Sequence, residues 1–236
     1  MKIGIIAAMK EELELLKTAL TECTKVSFGS FEYYTGKLDG YETALMLCGI
    51  GKVNAAVGTT LLIDKLKPTV VINTGVAGGF SRKLNIGDIV VSREVRHHDA
   101  DATAFNYEMG QIPQMPASFK ADERLIWLAE EAIPEDMQEK LHTGAVFSGD
   151  SFIHTEEQIQ SIAQRFPFAT AVEMEGAAIA QTCYLFNVPF VIIRSISDKV
   201  WEPESSQDYE KFMKKAAGKS VKIVHCMLKR IQEVFT

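Results

Sequence analysis

Ile3 to Ala8 is a short continuous apolar run that predicts a buried strand, and Leu13, Leu16 and Leu20 follow at the spacing of one apolar helix face. Phe31 to Lys37 and Thr43 to Cys48 flank Asp39-Gly40, a hairpin signal that makes these two strands antiparallel. After Gly49-Ile50-Gly51, Val53 to Leu66 reads as a helix stopped by Pro68, and Thr69 to Asn73 as a short β-branched strand. Gly87 to Val91 predicts another strand, and the polar, proline-containing stretch from Arg93 to Lys120 a long loop. Further helices are expected near Asp122 to Ala132, Thr155 to Arg165, Gly176 to Phe186 and Asp208 to Val234. They alternate with strands near Thr143 to Phe147, Ala169 to Val172 and Phe190 to Ile196.

This alternation predicts an α/β three-layer sandwich, with helices on both faces of a central mixed, mostly parallel sheet and one antiparallel excursion near the start. No linker divides the 236 residues, so one domain, 1–236, is expected. The composition, 47% hydrophobic and 24% charged, is that of a globular chain. A net charge of -6 argues against a phosphate-backbone partner, and no run of apolar residues is long enough for a membrane span. Cys23, Cys48, Cys183 and Cys226 form no C-x-x-C pair, and reduced thiols in a cytoplasm are the expectation. His97-His98-Asp99 lacks a second ligand cluster at a useful spacing, so no metal or other cofactor is expected.

In α/β folds ligands sit at the carboxyl ends of strands, and four such ends carry unusual chemistry. Met9-Lys10-Glu11-Glu12 follows the first strand; alone it reads as a helix start with acids favoured by the macrodipole. Thr74-Gly75-Val76-Ala77-Gly78-Gly79 is a tight turn or a backbone that admits a ligand closely, and it is neither a Walker A nor a G-x-G-x-x-G sequence. Glu173-Met174-Glu175-Gly176 puts two carboxylates where an apolar strand meets an apolar helix, the strongest local signal, because acids there are costly unless paired. Arg194 lies inside a hydrophobic strand that ends in Ser197-Asp198 and needs an anionic partner; Glu12, Glu173 and Glu175 are the candidates. A purely structural ion pair meets that need equally well. Paired carboxylates without a Ser-His-Asp or Cys-His arrangement suit acid/base cleavage of a glycosidic bond.

Six colinear segments resemble the bacterial 5′-methylthioadenosine/S-adenosylhomocysteine nucleosidases of the nucleoside phosphorylase superfamily. They are M-K-I-G-I-I-A-A-M-K-E-E at 1 to 12, N-T-G-V-A-G-G at 73 to 79, R-H-H-D-A-D-A-T-A-F at 96 to 105, S-G-D-S-F-I at 148 to 153, V-E-M-E-G at 172 to 176 and R-S-I-S-D at 194 to 198. The resemblance implies hydrolysis of 5′-methylthioadenosine, S-adenosylhomocysteine and 5′-deoxyadenosine to adenine and a 5-substituted ribose, with roles in methionine salvage and the methyl cycle. It implies that Glu12 activates water and that Asp198 protonates adenine N7. Glu175 would hold the ribose hydroxyls, Met174 would pack on the sugar, Arg194 would help to hold water and carboxylates, and Glu173 would join them in binding the substrate. Phe152 would stack on adenine and the Ile153 backbone read its edge, with Val76, Ala77, Gly78 and Ser197 around the base and the acid. Met9, Ile50 and Tyr209 would wall the 5′-alkylthio pocket. Phe105 and Pro113 match residues lent by a second subunit, which implies a homodimer with a shared site.

Two positions depart from the family pattern. Val76 stands where many relatives carry a serine bonded near the catalytic acid, and Ser197 is the candidate substitute. The segment Lys199 to Gln207, with Trp201 and Pro203, differs from the usual loop and is one residue longer. The nearest rival is a phosphorylase, which would place an arginine and a serine where Asn73 and Val76 stand. Aminofutalosine hydrolysis and a non-catalytic nucleotide-binding module also compete with it.

Overall fold

The computed structural model describes residues 1–7, 10–134, 138, 140–202 and 205–235, with 205–217 as backbone only. Ten strands occur in the order β1 (Lys2–Ala7), β2 (Thr21–Phe28), β3 (Phe31–Leu38), β4 (Tyr41–Leu47), β5 (Val70–Gly79), β6 (Ile89–His97), β7 (Phe119–Lys120), β8 (Leu141–Ser148), β9 (Ala169–Glu173) and β10 (Phe190–Lys199). Between them run α1 (Lys10–Ala19), α2 (Lys52–Leu61), α3 (Glu123–Ala132), α4 (Glu156–Arg165), α5 (Gly176–Leu185) and α6 (Ser205–Arg230).

Among the described residues all ten strands belong to one sheet. β1 lies between β4 and β5, parallel to both, and is buried along almost its whole length, which is why its sequence is a continuous apolar run. β5 pairs with β10, β10 with β6, β6 with β8, β8 with β9 and β9 with β5, so five strands close into a ring. Its longest pairings, β5 with β10 and β6 with β8, are parallel. Antiparallel pairing is more extensive than the single early excursion expected: besides the meander β2–β3–β4, it joins β10 to β6, β9 to β5 and β7 to β6. α6 lies along β10 and β5 and packs with α1 and α3, whereas α5 packs with α2 and lies against β6, β7, β8 and β10.

Local chemistry sets the element ends. Asp39 and Gly40 both take positive φ, 50° and 88°, the geometry of the two-residue turn that joins β3 to β4. Thr155 and Gln158 form a capping box on α4, and the Asp122 side chain accepts from the Arg124 and Leu125 N–H groups at the start of α3. α2 is shorter than the helix expected over Val53 to Leu66: it gives way to a π turn, Leu62–Leu66, and Lys67 in the left-handed region ends it before Pro68. The glycine-rich stretch Thr74 to Gly79 is not a turn but the last six residues of β5, kept extended by its parallel pairing with β10. The long loop is also shorter than expected, because β6 runs through His97, and β7 returns at Phe119. β2 carries no apolar alternation; it is the exposed outer strand next to β3.

Candidate active site

The ring brings the carboxyl ends of β5, β8, β9 and β10 together. In the strand registers Asp198 is level with Gly78, Gly78 with Val172, and Ser148 with Glu173. A cavity of about 540 Å³ opens there, with Asp198, Ser197 and Val200 on one side, Glu173, Met174 and Glu175 on another, and Phe152 and Ile153 between. Val76, Ala77 and Gly78 of β5 line it too, as does Ile50 beyond the end of β4.

Arg194 is fully buried, and its Nη2 donates to Glu173 Oε2 at 2.7 Å and to Asn73 Oδ1 at 2.6 Å. Glu173, one of the three candidate partners, forms a buried ion pair with the guanidinium. Glu173 also accepts from the Ser148 hydroxyl and from the N–H groups of Glu175 and Gly176, so both of its oxygens are committed inside the protein. Burial pushes its carboxyl up, but the Arg194 charge and these donors outweigh burial and hold it below the usual carboxylate range. Although it borders the cavity, Glu173 is built as the anionic hub that orients its neighbours.

Glu175 is the opposite case. One oxygen, Oε1, accepts from the Gly51 N–H at 2.8 Å. Burial and the nearby Glu173 charge push its pKa up to about 7. Two carboxylates two residues apart are thus driven in opposite directions, one down by an arginine and its hydrogen-bond donors, the other up by burial and the charge of the first. Asp198 is raised too, by burial, and Ser197 opposes the shift by donating to Oδ1 at 2.7 Å. A Cβ on Gly78 would lie 3.2 Å from Asp198 Oδ2 and 2.9 Å from Val200, so the glycine makes room for the acid and the cavity wall.

Glu12 is fully buried in the first turn of α1, two residues beyond Lys10, which lines the cavity. Phe152 is 46% exposed and Ile153 is buried at the cavity edge. Phe105 is 76% exposed, and neither it nor Pro113, also exposed, reaches the cavity of its own chain. Met9 lies outside the described residues, and the Tyr209 side chain does as well, although its backbone falls within α6. Among the described residues no group of three His, Cys, Asp or Glu side chains has a metal-binding arrangement. His97 instead binds Gln181 at 3.0 Å.

Several cavity residues carry no assigned role in the sequence. Lys10, Leu47, Gly49, Ser151, Val172 and Val200 also line the cavity. The end of β4 is a fifth chemically active strand end, where Gly49 and Gly51 take φ of 76° and 93° and turn a backbone N–H toward Glu175. Two glycines between a strand and a helix are the signal that could have found it.

The chain matches the family model described as the phosphorylase superfamily over residues 2–229. It is 64% identical to a 5′-methylthioadenosine/S-adenosylhomocysteine nucleosidase of Maridesulfovibrio salexigens, over 98% of this chain and 100% of that protein. Its fold superposes on the nucleosidase of the same name from Colwellia psychrerythraea, solved in complex with adenine, with a TM-score of 0.93 and 44% identity over 97% of this chain and 94% of that one. The Neisseria meningitidis nucleosidase, solved with methylthio-immucillin-A, gives a TM-score of 0.93 and 43% identity, covering 97% of this chain and 98% of that one.

Proposed function

The chain belongs to the 5′-methylthioadenosine/S-adenosylhomocysteine nucleosidases of the phosphorylase superfamily, and from that premise we propose how its cavity hydrolyses the N-glycosidic bond of these nucleosides. The observation that carries the reading is Asp198: a buried carboxyl held toward its protonated form, with Oδ2 beside Gly78 on the cavity wall. A protonated carboxyl can give its proton to adenine N7 as the C1′–N9 bond breaks, so the base leaves neutral. Glu175, on the same cavity, takes the ribose 2′- and 3′-hydroxyls and offsets the positive charge that grows on the sugar. Glu12 accepts the proton of the water that attacks C1′, and the products are adenine and the 5-substituted ribose. Phe152 and Ile153 take the base, Met174 the sugar face, and Met9, Ile50 and Tyr209 the 5′ tail.

Water is the nucleophile because the position that would carry a phosphate-binding cation is Asn73, and its amide is spent within the protein. Asn73 Nδ2 donates to the Ile6 carbonyl at 2.8 Å and its Oδ1 accepts from Arg194. The whole chain works as one domain in a cytoplasmic homodimer. Phe105 and Pro113 support the dimer, since both are exposed and away from their own cavity, where a second copy can use them.

Adenine release from 5′-methylthioadenosine, S-adenosylhomocysteine and aminofutalosine, measured with phosphate present and removed, tests this reading. Equal rates on the first two nucleosides under both conditions, with a free 5-substituted ribose as co-product, are expected. A strict phosphate requirement, or a ribose-1-phosphate product, would overturn it.

A further inference from the structure

Asp99 and Asp150 lie in two of the segments that mark the family resemblance, and the mechanism above gives neither a task. In the fold both converge on the loop that faces Glu175. The Lys52 N–H donates to Asp150 Oδ1 at 2.7 Å, and the Asp150 N–H donates to Asp99 Oδ2 at 3.0 Å. The Lys52 ammonium closes the circuit on Asp99 Oδ1 at 2.7 Å. Burial pushes Asp99 up, yet Lys52 and the Asp150 N–H outweigh it and keep the carboxyl below its ordinary range. Gly51, next to Lys52, has φ of 93°, and a Cβ there would stand 3.2 Å from Asp150 Oδ1. Asp150 therefore holds the Gly51–Lys52 peptide, the next one along the chain from the Gly51 N–H that donates to Glu175. The contacts span 98, 51 and 47 residues of chain, so this is a tertiary clamp and not a local turn.

We propose that Asp99, Lys52 and Asp150 form a positioning relay that holds the Gly51 N–H on Glu175 Oε1 and thereby aims that carboxylate at the sugar. The inference rests on the sugar-binding role given to Glu175 above. The Gly51 N–H reaches the Glu175 carboxylate from a different strand end, 124 residues away in sequence. Fixing Oε1 leaves Oε2 for the substrate. The charged groups around Glu175 are Glu173, which resists its ionisation, and Arg194, which favours it, with Asp198 and Lys10 on the same cavity. The Gly51 N–H also favours the ionised form, so a loop released from the relay leaves Glu175 both misaimed and harder to ionise. An ångström of misplacement at a reacting centre costs up to about 10²-fold in rate.

The test is the pH profile of adenine release from 5′-methylthioadenosine for wild type, Asp150→Ala, Asp150→Asn and Asp99→Asn. It is paired with thermal melts and with Asp150→Ala placed in a Glu175→Gln background. Asp150→Ala is expected to lower kcat about 10-fold or more and to move the acidic limb of kcat/KM to higher pH. Asp150→Asn keeps an oxygen for the Lys52 N–H and should restore most of the rate. In the Glu175→Gln background Asp150→Ala should add almost nothing, because the relay acts through that carboxylate. If Asp150→Ala does not fold, Asp99→Asn provides the same readout with the shape of the clamp kept. An unmoved acidic limb, or a loss that adds in full to that of Glu175→Gln, would overturn the relay and leave a merely structural cluster. A wild-type protein that releases no adenine would overturn the functional reading itself.

Discussion

The Ser197 hydroxyl lies 2.7 Å from Asp198 Oδ1 and 3.3 Å from the Ala77 carbonyl, so one side chain links the acid to the strand that carries Val76. We propose that Ser197 takes the place of the serine that Val76 replaces. The β-bulge between Ile196 and Asp198 in the pairing of β10 with β5 is what places both side chains on the cavity. Ser197→Ala is expected to lower kcat by roughly 10-fold through a less constrained acid. Because the hydroxyl favours the ionised carboxylate, its loss should also move the basic limb of the kcat profile to higher pH.

Asp198→Asn should reduce kcat by at least about 10², the usual contribution of a positioned general acid, while the protein stays folded and binds adenine nucleosides. Glu12→Gln should cost a similar factor through the water. Steady-state kinetics with a binding titration of each variant checks both, and near-normal kcat in Asp198→Asn would remove the acid from this site.

Glu175 links pH to activity and to stability. Its folded pKa of about 7 lies above the unfolded value of about 4.3, so between these values the folded state holds a proton the unfolded chain has lost. Stability from this group therefore falls as pH rises through that window, while catalysis, which on the proposed role needs the carboxylate, should rise. Glu175→Gln should lose about 10² or more in kcat and gain several degrees in Tm at pH 8, with little change in Tm at pH 4. Thermal melts at the two pH values read the sign directly.

The Arg194–Glu173 pair should behave as a unit. Removing one partner of a buried pair typically costs about 3–5 kcal/mol, so Arg194→Met is expected to lower Tm by roughly 10 °C or more. The double variant with Glu173→Gln should lose less than the two single losses added together. Because Glu173 sits below its usual range, its contribution is present above about pH 4.3 and disappears as pH falls below that value.

The shared pocket predicts that dilution to monomer abolishes adenine release and that Phe105→Ala weakens binding of the 5′ substituent. Val53 and Val57, one turn apart on α2 and 73% and 44% exposed, give a second copy an apolar face to cover. Light scattering beside an activity titration decides the point: a stable monomer with normal turnover would rule out the shared site.

Much of this architecture is legible along the chain because burial is written in unbroken apolar runs. β1 and β10 read as strands from composition alone, and Glu173 and Glu175 stand out because charge there interrupts apolar sequence. β2 is illegible since its side chains are exposed and carry no period. β5 reads too short because its second half is mostly small residues, and glycine has no strand preference of its own. The contacts that set the site are harder still. Gly51 reaches Glu175 across 124 residues through a backbone N–H, and Asn73 reaches Arg194 across 121, and neither distance leaves a mark in local pattern.

The strand that closes the ring is β10, the last strand in chain order, so the ring cannot be complete before residues 190–199 are in place. Until residues 190–199 arrive, β5 has an unpaired edge in a stretch of chain that is almost entirely buried when folded. The pairing of β10 with β5 joins residues about 120 apart in sequence. Asp198 rides on the closing strand, so the acid joins the cavity at the moment the edge is sealed. A nascent or truncated chain without it is both inert and exposed to aggregation, whereas the finished ring hides that edge and gains its chemistry in one event.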